Sequence, residues 1–247
     1  MSPTSLDRVY QSPLGEIQAF EFNQEVTQVF PDMIQRSVPG YQATLSAAQT
    51  LAHRFARPST SLYDLGCSRG AGLLAMSREL DPQTPYSLIG IDQSPHMLEA
   101  CQKDLAPFQN QPHHFKLRCE DLRESSIENA SMVLLNFTLQ FIPVEDRLPL
   151  LTKIRKGMTS GGVLLLSEKI QLEDHRLDQL CFELHHDFKR SQGYSDLEIA
   201  QKRDALEGVL IPESIQTHRH RLTQAGFECS EVWYQVFNFC SIVALCP

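Results

Sequence analysis

A glycine-rich turn at residues 61–72, with the sequence SLYDLGCSRGAG, constrains this chain more than any other feature. A short apolar run with an acid near its end leads into small residues and then into apolar residues at helical spacing, which predicts strand, turn and helix. Gly66, Gly70 and Gly72 permit positive φ and let the backbone approach a ligand closely. About twenty residues later a second apolar segment ends in Asp92, where an acid often binds ribose hydroxyls. The stretch therefore predicts a site for a nucleotide-like ligand.

The rest of the chain alternates between strand and helix patterns, which predicts a parallel sheet covered by helices on both faces. The last two β-rich segments, 226–235 and 237–245, are joined so tightly that they can only pair antiparallel. Such a reversed hairpin departs from the dinucleotide-binding arrangement and resembles the S-adenosylmethionine (SAM)-dependent methyltransferases. The predicted fold class is α/β, a seven-stranded class I methyltransferase (Rossmann-like) sheet with a C-terminal antiparallel hairpin and a helical insert. The earlier predicted strands are 61–65, 86–91, 114–119, 131–136 and 162–167, and the helices between them are 71–80, 94–105 and 145–157, with a short element near 123–128.

The chain is expected to form a single domain over residues 1–247, because 42% hydrophobic composition can bury one large core. Two helices before the first strand are predicted either to cover the cleft or to pack as ordinary helices. The insert must cap the cleft, form a dimer surface, or do both, and one of its helices carries an apolar stripe of Leu177, Leu180, Cys181, Leu184 and Phe188. The predicted segments are a loosely held N-terminus (1–22), a helical cover (23–57), a SAM-binding core (58–167), the helical insert (168–222) and the hairpin (223–247).

Composition argues against several classes of protein. The chain has 22 Lys and Arg against 30 Asp and Glu, a formal net charge of −8, which weighs against direct action on nucleic acid. Its seven cysteines are scattered without a C-x-x-C pair, which suggests reduced thiols. No apolar run approaches membrane-spanning length. We therefore expect a cytoplasmic protein that contacts neither a membrane nor nucleic acid directly.

The residues around the turn favour SAM over a dinucleotide. Asp64, just before Gly66, would repel a pyrophosphate, whereas SAM has no phosphate and carries a positive methionine end that an acid helps to hold. A glycine-rich turn alone is weak evidence, but Asp92 and the Asp121–Leu122 pair after the third strand make the spacing specific. The sequence therefore predicts SAM as the bound cofactor.

The end of the fourth strand is the place where a transferase presents residues to the reacting carbon. Asn136 is predicted to contact the cofactor, and Phe137 and Phe141 either wall the site or belong to the core. The histidines at 185–186 and 218–220 are spaced so that their side chains leave a helix on different faces, so no metal site is predicted.

Arg203 is the most informative charge in the insert. On a helix it would share an apolar stripe with Ile199, Leu206 and Leu210, where a guanidinium must find an anion or reach water. Arginine suits a bidentate grip on a carboxylate. The same pattern would also be explained if Arg203 formed a salt bridge within the protein or extended its charge into solvent.

Four longer strings give a closer resemblance. VFPDMIQRSVPGY (29–41), YDLGCS (63–68), ENASMVLLNFTLQF (128–141) and HHDFKR (185–190) resemble the carboxy-S-adenosyl-L-methionine synthase family. The resemblance implies an enzyme that binds SAM as a substrate and uses prephenate as a carboxyl donor, releasing phenylpyruvate and water. The product, carboxy-SAM, would supply a partner tRNA carboxymethyltransferase that modifies a wobble uridine.

The same resemblance implies a set of site residues. Arg203 would be the catalytic residue that holds the new carboxylate, supplied by the other subunit of a homodimer. Position 93 is Gln here, where a backbone contact or a shorter amide would serve similarly. The implied cofactor-binding residues are Tyr41, Gly66, Cys67, Ser68, Asp92, Gln93, Asp121, Leu122, Asn136 and Arg203.

The chemistry implied by the resemblance needs no protein base. Our hypothesis is that hydroxide expelled from prephenate takes a proton from the SAM methyl group, and that the resulting ylide captures the released carbon dioxide. The site would then position the reactants and exclude water. Two alternatives remain open, an ordinary SAM-dependent small-molecule methyltransferase and a non-catalytic SAM-binding partner of an RNA-modifying enzyme. Arg203 separates the first of these from the synthase, because transfer of a plain methyl group needs no cation. The non-catalytic partner would bind the cofactor without turnover, and its cleft would lack a second anion pocket.

Overall fold

The computed structural model describes residues 5–108 and 113–247, so residues 1–4 of the predicted N-terminal segment lie outside it. The seven strands of the described residues form one sheet. They are β1 (Ser61–Leu65), β2 (Ser87–Asp92), β3 (His114–Cys119), β4 (Ala130–Asn136), β5 (Met158–Lys169), β6 (Cys229–Val236) and β7 (Phe239–Leu245). Their order across the sheet is β3-β2-β1-β4-β5-β7-β6.

The helices cover both faces of this sheet. In chain order they are α1 (Gln24–Ser37), α2 (Tyr41–Phe55), α3 (Ala71–Ser77), α4 (Pro95–Leu105), α5 (Val144–Gly157), α6 (His175–Ser191), α7 (Asp196–Leu206) and α8 (Ile215–Ala225). Short 3-10 turns follow α4 and β4 at Ala106–Phe108 and Leu139–Phe141. None of the helices in the described ranges is long and apolar enough to cross a membrane.

The strand directions confirm the predicted fold class. β1 to β5 pair in parallel, and β7 pairs antiparallel with both β5 and β6. The hydrophobic core lies on the two sides of the sheet, in one cluster under α5 and α8 and another under α2, α3 and α4. The parallel strands therefore end together at one edge of the sheet, which is where ligands bind in folds of this kind.

Two predicted elements differ most from the structure, while the helix predicted over 71–80 ends at Ser77 and the strand predicted over 226–235 begins at Cys229. β5 begins at Met158 rather than at residue 162, because a register shift in its pairing with β4 and the positive φ of Gly161 (64°) let the strand continue through the glycines. The short element predicted near 123–128 is neither helix nor strand. There the carbonyl of Asp121 accepts bonds from the backbone N–H groups of Glu124 and Ser125, which forms a turn.

The N-terminal segment makes specific contacts between residue 5 and α1. Asp7 is buried, and its carboxylate accepts a hydrogen bond of 2.5 Å from the hydroxyl of Tyr194. Further along, the backbone N–H of Phe20 donates to the carbonyl of Ala205 on α7. These contacts join the N-terminal segment to the helical insert across α1, so both border the same cleft.

Candidate active site

A cavity of about 480 Å³ opens at the carboxyl ends of the parallel strands. Its lining comes from the strand ends and glycine turn, here called the floor, from α1, and from α6 and α7 of the insert, which contact the end of α1. Eight of the ten predicted cofactor-binding residues line it: Gly66, Ser68, Asp92, Gln93, Asp121, Leu122, Asn136 and Arg203. Which ligand each of these residues contacts stays a prediction.

The glycine turn is held in place by β2. The backbone N–H groups of Gly66 and Cys67 donate to the carbonyl of Ile91, and Gly66 has a φ of 78°. Ser68 also has a positive φ, 45°, and its N–H donates to the carboxylate of Asp92 at 2.8 Å. The turn thus presents its backbone to the cavity at Gly66 and Ser68.

Gly72 is needed for a reason other than the predicted positive φ. It lies in α3 with ordinary helical geometry, and a Cβ there would be 2.4 Å from Oδ2 of Asp64 and 2.6 Å from Cδ2 of Leu134. The absent side chain lets α3 pack directly against β1 and β4.

Asp92 stands at the end of β2 with its carboxylate oriented by backbone donors. Ser94 N–H donates to Oδ1 at 2.9 Å, and Ser68 N–H donates to Oδ2. Burial raises the pKa of this carboxyl, while those hydrogen bonds lower it in part. Such a fixed carboxylate at the cavity floor suits the ribose hydroxyls of a nucleoside.

Asn136 ends β4 with an unsatisfied acceptor. Its side-chain Oδ1 is buried and receives no hydrogen bond from any described residue, although the residue lines the cavity. A buried polar atom without a partner is unfavourable, so its presence beside a cavity indicates that a ligand donor completes it.

Asp121 and Leu122 lie at the rim beyond β3. Arg123 donates to Oδ2 of Asp121 at 2.7 Å, and this contact holds the pKa of the carboxyl below its usual range. Arg123 also reaches Asp146 on α5, so Asp121 belongs to a partly exposed ion network. The aspartate is therefore ionised and oriented toward the rim before any ligand binds.

Tyr41 and Cys67 do not line the cavity, so their predicted contacts with the cofactor stay predictions. Tyr41 is buried at the start of α2, with its ring centroid 6.4 Å from that of Phe137. Cys67 lies under the turn beside Cys101. Asp64 is likewise buried outside the cavity, where burial raises the pKa of its carboxyl to about 7.

The sequence left open whether the two phenylalanines after β4 wall the site or belong to the core, and the structure shows both kinds of contact. Phe137 is buried against Phe239, with ring centroids 6.0 Å apart, and also lines the cavity. Phe141 packs edge-on against Phe22 at 5.3 Å and lines the same cavity. Aromatic residues therefore belong both to the core and to the wall of the site.

One part of the cavity lining is basic, and its residues are defined here as the basic wall: Lys169, His185, His186, Lys189, Lys202 and Arg203. Of these, only Arg203 was predicted from the sequence. A signal existed for Lys169, because it is a charged residue at the carboxyl end of the largely buried strand β5. For Lys189 the signal was its position four residues after His185, on one face of α6.

Burial and mutual repulsion change the charge state of the basic wall. Burial, together with the neighbouring positive charges of Lys202, Lys169 and Arg203, lowers the pKa of Lys189 to about 7. The pKa of Lys169 is also lowered, chiefly by burial, and that of His186 falls to about 4. The positive charges of Lys169, Lys189, Lys202 and Arg203 lie close enough to destabilise one another in the absence of an anion.

Arg203 stands at the mouth of the cavity with about half of its side chain exposed. Its Nε and Nη2 both donate to Oδ1 of the adjacent Asp204, at 2.9 and 2.7 Å. α7 ends at Leu206, so Leu210 is not on its stripe. The guanidinium therefore has the neighbouring acid that the alternative interpretation expected and also borders the site.

No cluster of His, Cys, Asp and Glu suited to a metal ion occurs among residues 5–108 and 113–247. His185 contributes to packing instead, because its Nε2 is 2.8 Å from the carbonyl oxygen of Ser37 and its ring packs against Phe239.

Comparison with known proteins gives consistent results. Residues 62–162 match the methyltransferase domain family. Carboxy-S-adenosyl-L-methionine synthase of Haemophilus ducreyi is 48% identical over 97% of this chain and 97% of its own length. The protein of the same name from Trichlorobacter lovleyi is 50% identical over 97% of this chain and 98% of its own length. Human N-acetylserotonin methyltransferase in complex with SAM superposes with a TM-score of 0.62 at 16% identity, covering 91% of this chain and 55% of that chain.

Proposed function

The chain belongs to the carboxy-S-adenosyl-L-methionine synthase family, and from that premise we propose that it converts SAM and prephenate to carboxy-SAM, phenylpyruvate and water. The methyltransferase domain match supports SAM as the substrate that occupies the floor of the cavity. The rest of the proposal concerns how the residues of the cavity would serve this reaction.

One observation carries the proposal, namely the basic wall that lines the same cavity as the glycine turn. An ordinary methyl acceptor needs no concentration of positive charge beside the reacting carbon. A reaction between SAM and a carboxylate donor does need it, because the donor is an anion and the product gains a carboxylate. The charge distribution therefore favours the synthase over an ordinary small-molecule methyltransferase.

The part of the cavity formed by the strand ends fits SAM. The unsatisfied Oδ1 of Asn136 offers an acceptor for a ligand donor, and the fixed carboxylate of Asp92 offers one for hydroxyl groups. Bound SAM would supply a methyl group made weakly acidic by the adjacent sulfonium. The chain holds that methyl near the basic wall and keeps water away with the aromatic side chains of Phe137 and Phe141.

No general base is assigned to the protein in this proposal. Prephenate that loses carbon dioxide and hydroxide together leaves phenylpyruvate, so the donor supplies both the base and the carboxyl group. Arg203 at the cavity mouth then stabilises the carboxylate of the product. The catalytic contribution of the protein is positioning and charge complementarity.

Three further parts of the proposal concern partners. The exposed apolar residues of α6, Leu177 and Leu180, support a homodimer that buries this helix face. The product would be consumed by a cytoplasmic tRNA carboxymethyltransferase, consistent with a chain of net charge −8 that leaves tRNA to another protein. Arg203 would act in that dimer either in its own cavity or in that of its partner.

The test is mass spectrometry of the nucleosides in a reaction of purified protein with SAM and prephenate. We expect a product heavier than SAM by one carbon dioxide, formed only when both substrates are present. Arg203→Ala should form or retain much less of it, while Arg176→Ala, an exposed arginine at the start of α6, should behave as wild type. If SAM stays unchanged in the presence of prephenate and its methyl group is instead transferred to another acceptor, the chain would be an ordinary methyltransferase and the proposal would be rejected.

A further inference from the structure

Two lysines of the basic wall, the half-buried Lys169 and the buried Lys189, form no ion pair with the described residues, and they suggest where the second substrate binds. We propose that Lys169 and Lys189 form the binding site for the carboxylates of a small dicarboxylate cosubstrate that carries an apolar ring. This inference rests on the proposed function, because it assigns residues to the donor half of that same reaction.

Lys169 is fixed at the end of β5 with its side chain directed to the cavity. Its backbone N–H donates to Oε1 of Gln140 at 2.9 Å, but its ammonium makes no hydrogen bond or ion pair with any described residue. The adjacent Glu168 does not neutralise it, since the two carboxylate oxygens of Glu168 accept the N–H groups of Leu139 and Gln140. The ammonium is thus held beside the cavity without an anion in contact, because Asp178, whose charge acts on it, forms no ion pair with it.

Lys189 reaches the cavity from α6 and is only 7% exposed. Within the described parts of the chain its ammonium has neither a hydrogen-bond acceptor nor a salt-bridge partner. The charges that act on it most come from Lys202, Lys169 and Arg203, all positive. Burying a cation among other cations is costly unless a bound anion offsets it.

Other buried cations of this protein are paired, so the two lysines are exceptions to its own pattern. Arg147 donates to Glu213 and to three backbone carbonyls, and Arg221 donates to the other oxygen of Glu213. Lys202, in the same basic wall, donates to the hydroxyl of Ser37 at 3.0 Å and lies 3.9 Å from the carboxylate of Asp7. Structural charges here receive partners, which indicates that Lys169 and Lys189 await a ligand.

The surroundings of the two ammonium groups define the rest of the ligand. The same cavity is also lined by aromatic side chains that offer no hydrogen bonds from their rings: Phe22, Phe30, Phe141, Phe182 and Phe239. An apolar ring fits among these residues, with its carboxylates directed to the lysines. The cavity therefore fits a ring-bearing dicarboxylate better than a long or uncharged molecule.

The experiment is a calorimetric titration of prephenate into protein loaded with S-adenosylhomocysteine, which lacks the methyl group and so forms a non-reacting complex. We expect Lys169→Met and Lys189→Met each to raise the prephenate Kd roughly 10- to 100-fold, as the loss of a charged hydrogen bond predicts. The Kd for S-adenosylhomocysteine should stay within twofold of wild type. Lys103→Met removes an exposed lysine that pairs with Glu99 outside the cavity, and serves as the control.

Two further readouts separate ligand binding from a structural role. Prephenate binding at pH 8 should take up a proton in wild type, since the bound anion favours the charged form of Lys189, and this uptake should disappear in Lys189→Met. The methionine variant should also melt at or above the wild-type temperature without ligand, whereas a structural lysine would lower it. Lys189→Arg, which keeps the charge, should bind prephenate more tightly than the methionine variant. If a methionine variant does not fold, the glutamine variant at the same position takes its place.

Each outcome decides between the inference and the proposed function. Wild-type turnover with unchanged prephenate affinity in both variants would overturn the inference and leave the function standing. Lysine-dependent binding of prephenate, or of malonate as a non-reacting dicarboxylate, without any turnover would reject the function and support the inference. Wild type that binds neither compound, or variants that change only the oligomeric state, would overturn the inference.

Discussion

At the level of single residues, two glycines of one turn serve different physical purposes. Gly66 has a φ of 78°, a conformation that costs L-residues energy, whereas Gly72 lies in a regular helix and is needed for space. The sequence correctly predicted a turn with close backbone packing. It could not distinguish conformation from space, because that depends on Asp64 and Leu134, which the fold brings from two strands.

Gly72→Ala should therefore destabilise the protein, even though alanine is the better helix former. Its Cβ would meet Oδ2 of Asp64, a buried carboxylate, and Cδ2 of the fully buried Leu134, neither of which has room to move. We expect urea denaturation to show a loss of about 1–3 kcal/mol in the free energy of unfolding. Gly15→Ala is the matched control, because nothing lies within 4 Å of its Cβ position, and equal stability of the two variants would contradict the packing argument.

Asn136→Leu tests the unsatisfied acceptor at the end of β4. If Oδ1 accepts from SAM, its loss should raise the Kd for S-adenosylhomocysteine roughly 10-fold or more, measured by calorimetry. The melting temperature without ligand should not fall, because the variant removes a buried polar atom that has no partner in the described protein. Asn238→Leu provides the control, since Asn238 also has a buried Oδ1 without a partner there but does not line the cavity. Equal affinities in both variants would remove Asn136 from the binding site.

At the level of elements, α6 has the reverse of the usual polarity. Its buried residues include His185 and Lys189, while Leu177 and Leu180 are about half exposed. The apolar stripe was predicted from its spacing, and the sequence left open whether the insert caps the cleft or forms a dimer surface. The structure places the charged face of α6 on the cavity and leaves the apolar face outward, so one helix is suited to both roles. Residue spacing predicts the existence of two faces but not which of them faces the protein.

The junction of β5 with the turn after β4 depends on one buried carboxyl. Glu168 accepts the backbone N–H groups of Leu139 and Gln140 at 2.9 Å each, which fixes the segment that follows Asn136. Burial raises the pKa of Glu168 to about 8 from 4.5, although these hydrogen bonds and the charge of Arg147 oppose the rise. The folded state therefore keeps a proton that the unfolded chain loses at a lower pH.

Stability should consequently fall as pH rises between the two pKa values of Glu168. The folded state binds more protons than the unfolded state from about pH 4.5 to about pH 8, so the free energy of unfolding decreases across that window and levels off above it. Glu168→Gln removes this contribution while it keeps one acceptor for the backbone. Urea denaturation at half-unit pH steps should show the wild-type advantage over Glu168→Gln shrinking with rising pH. A difference that is constant with pH would contradict the assignment.

At the level of the whole molecule, the sheet was more predictable than the site. Five strands, their parallel direction and the final antiparallel hairpin follow from local alternation and connection length, so the fold class was predicted correctly. The floor residues, such as Asp92 and Asn136, follow from their places at strand ends. The basic wall as a whole does not, because its residues lie on β5, α6 and α7, and only the fold of the insert brings these elements to one cavity. A chain of net charge −8 thus encloses a cavity with a basic wall, which total composition cannot reveal.

The quaternary arrangement gives the last prediction, because the outward face of α6 has no partner within the described chain. The exposed fractions of Leu177 and Leu180 are 54% and 48%, and burying them against a second copy would recover apolar area. We expect wild type to have about twice the 28.0 kDa chain mass in light scattering, and Leu177→Glu/Leu180→Glu to be monomeric yet still bind S-adenosylhomocysteine.

Leu14→Glu, an equally exposed leucine in the N-terminal segment, should leave the dimer intact. If Arg203 acts across the interface, the monomeric variant should also lose carboxy-SAM formation, whereas an Arg203 that serves its own cavity should retain it. Mixing the Arg203→Ala protein with Asn136→Leu, at a SAM concentration too low for Asn136→Leu to be active on its own, distinguishes the two arrangements. Recovery of activity in the mixed dimer requires that one site receive its arginine from the partner and its asparagine from its own chain. A wild-type protein of 28.0 kDa in solution would instead reject the dimer and confine Arg203 to its own cavity.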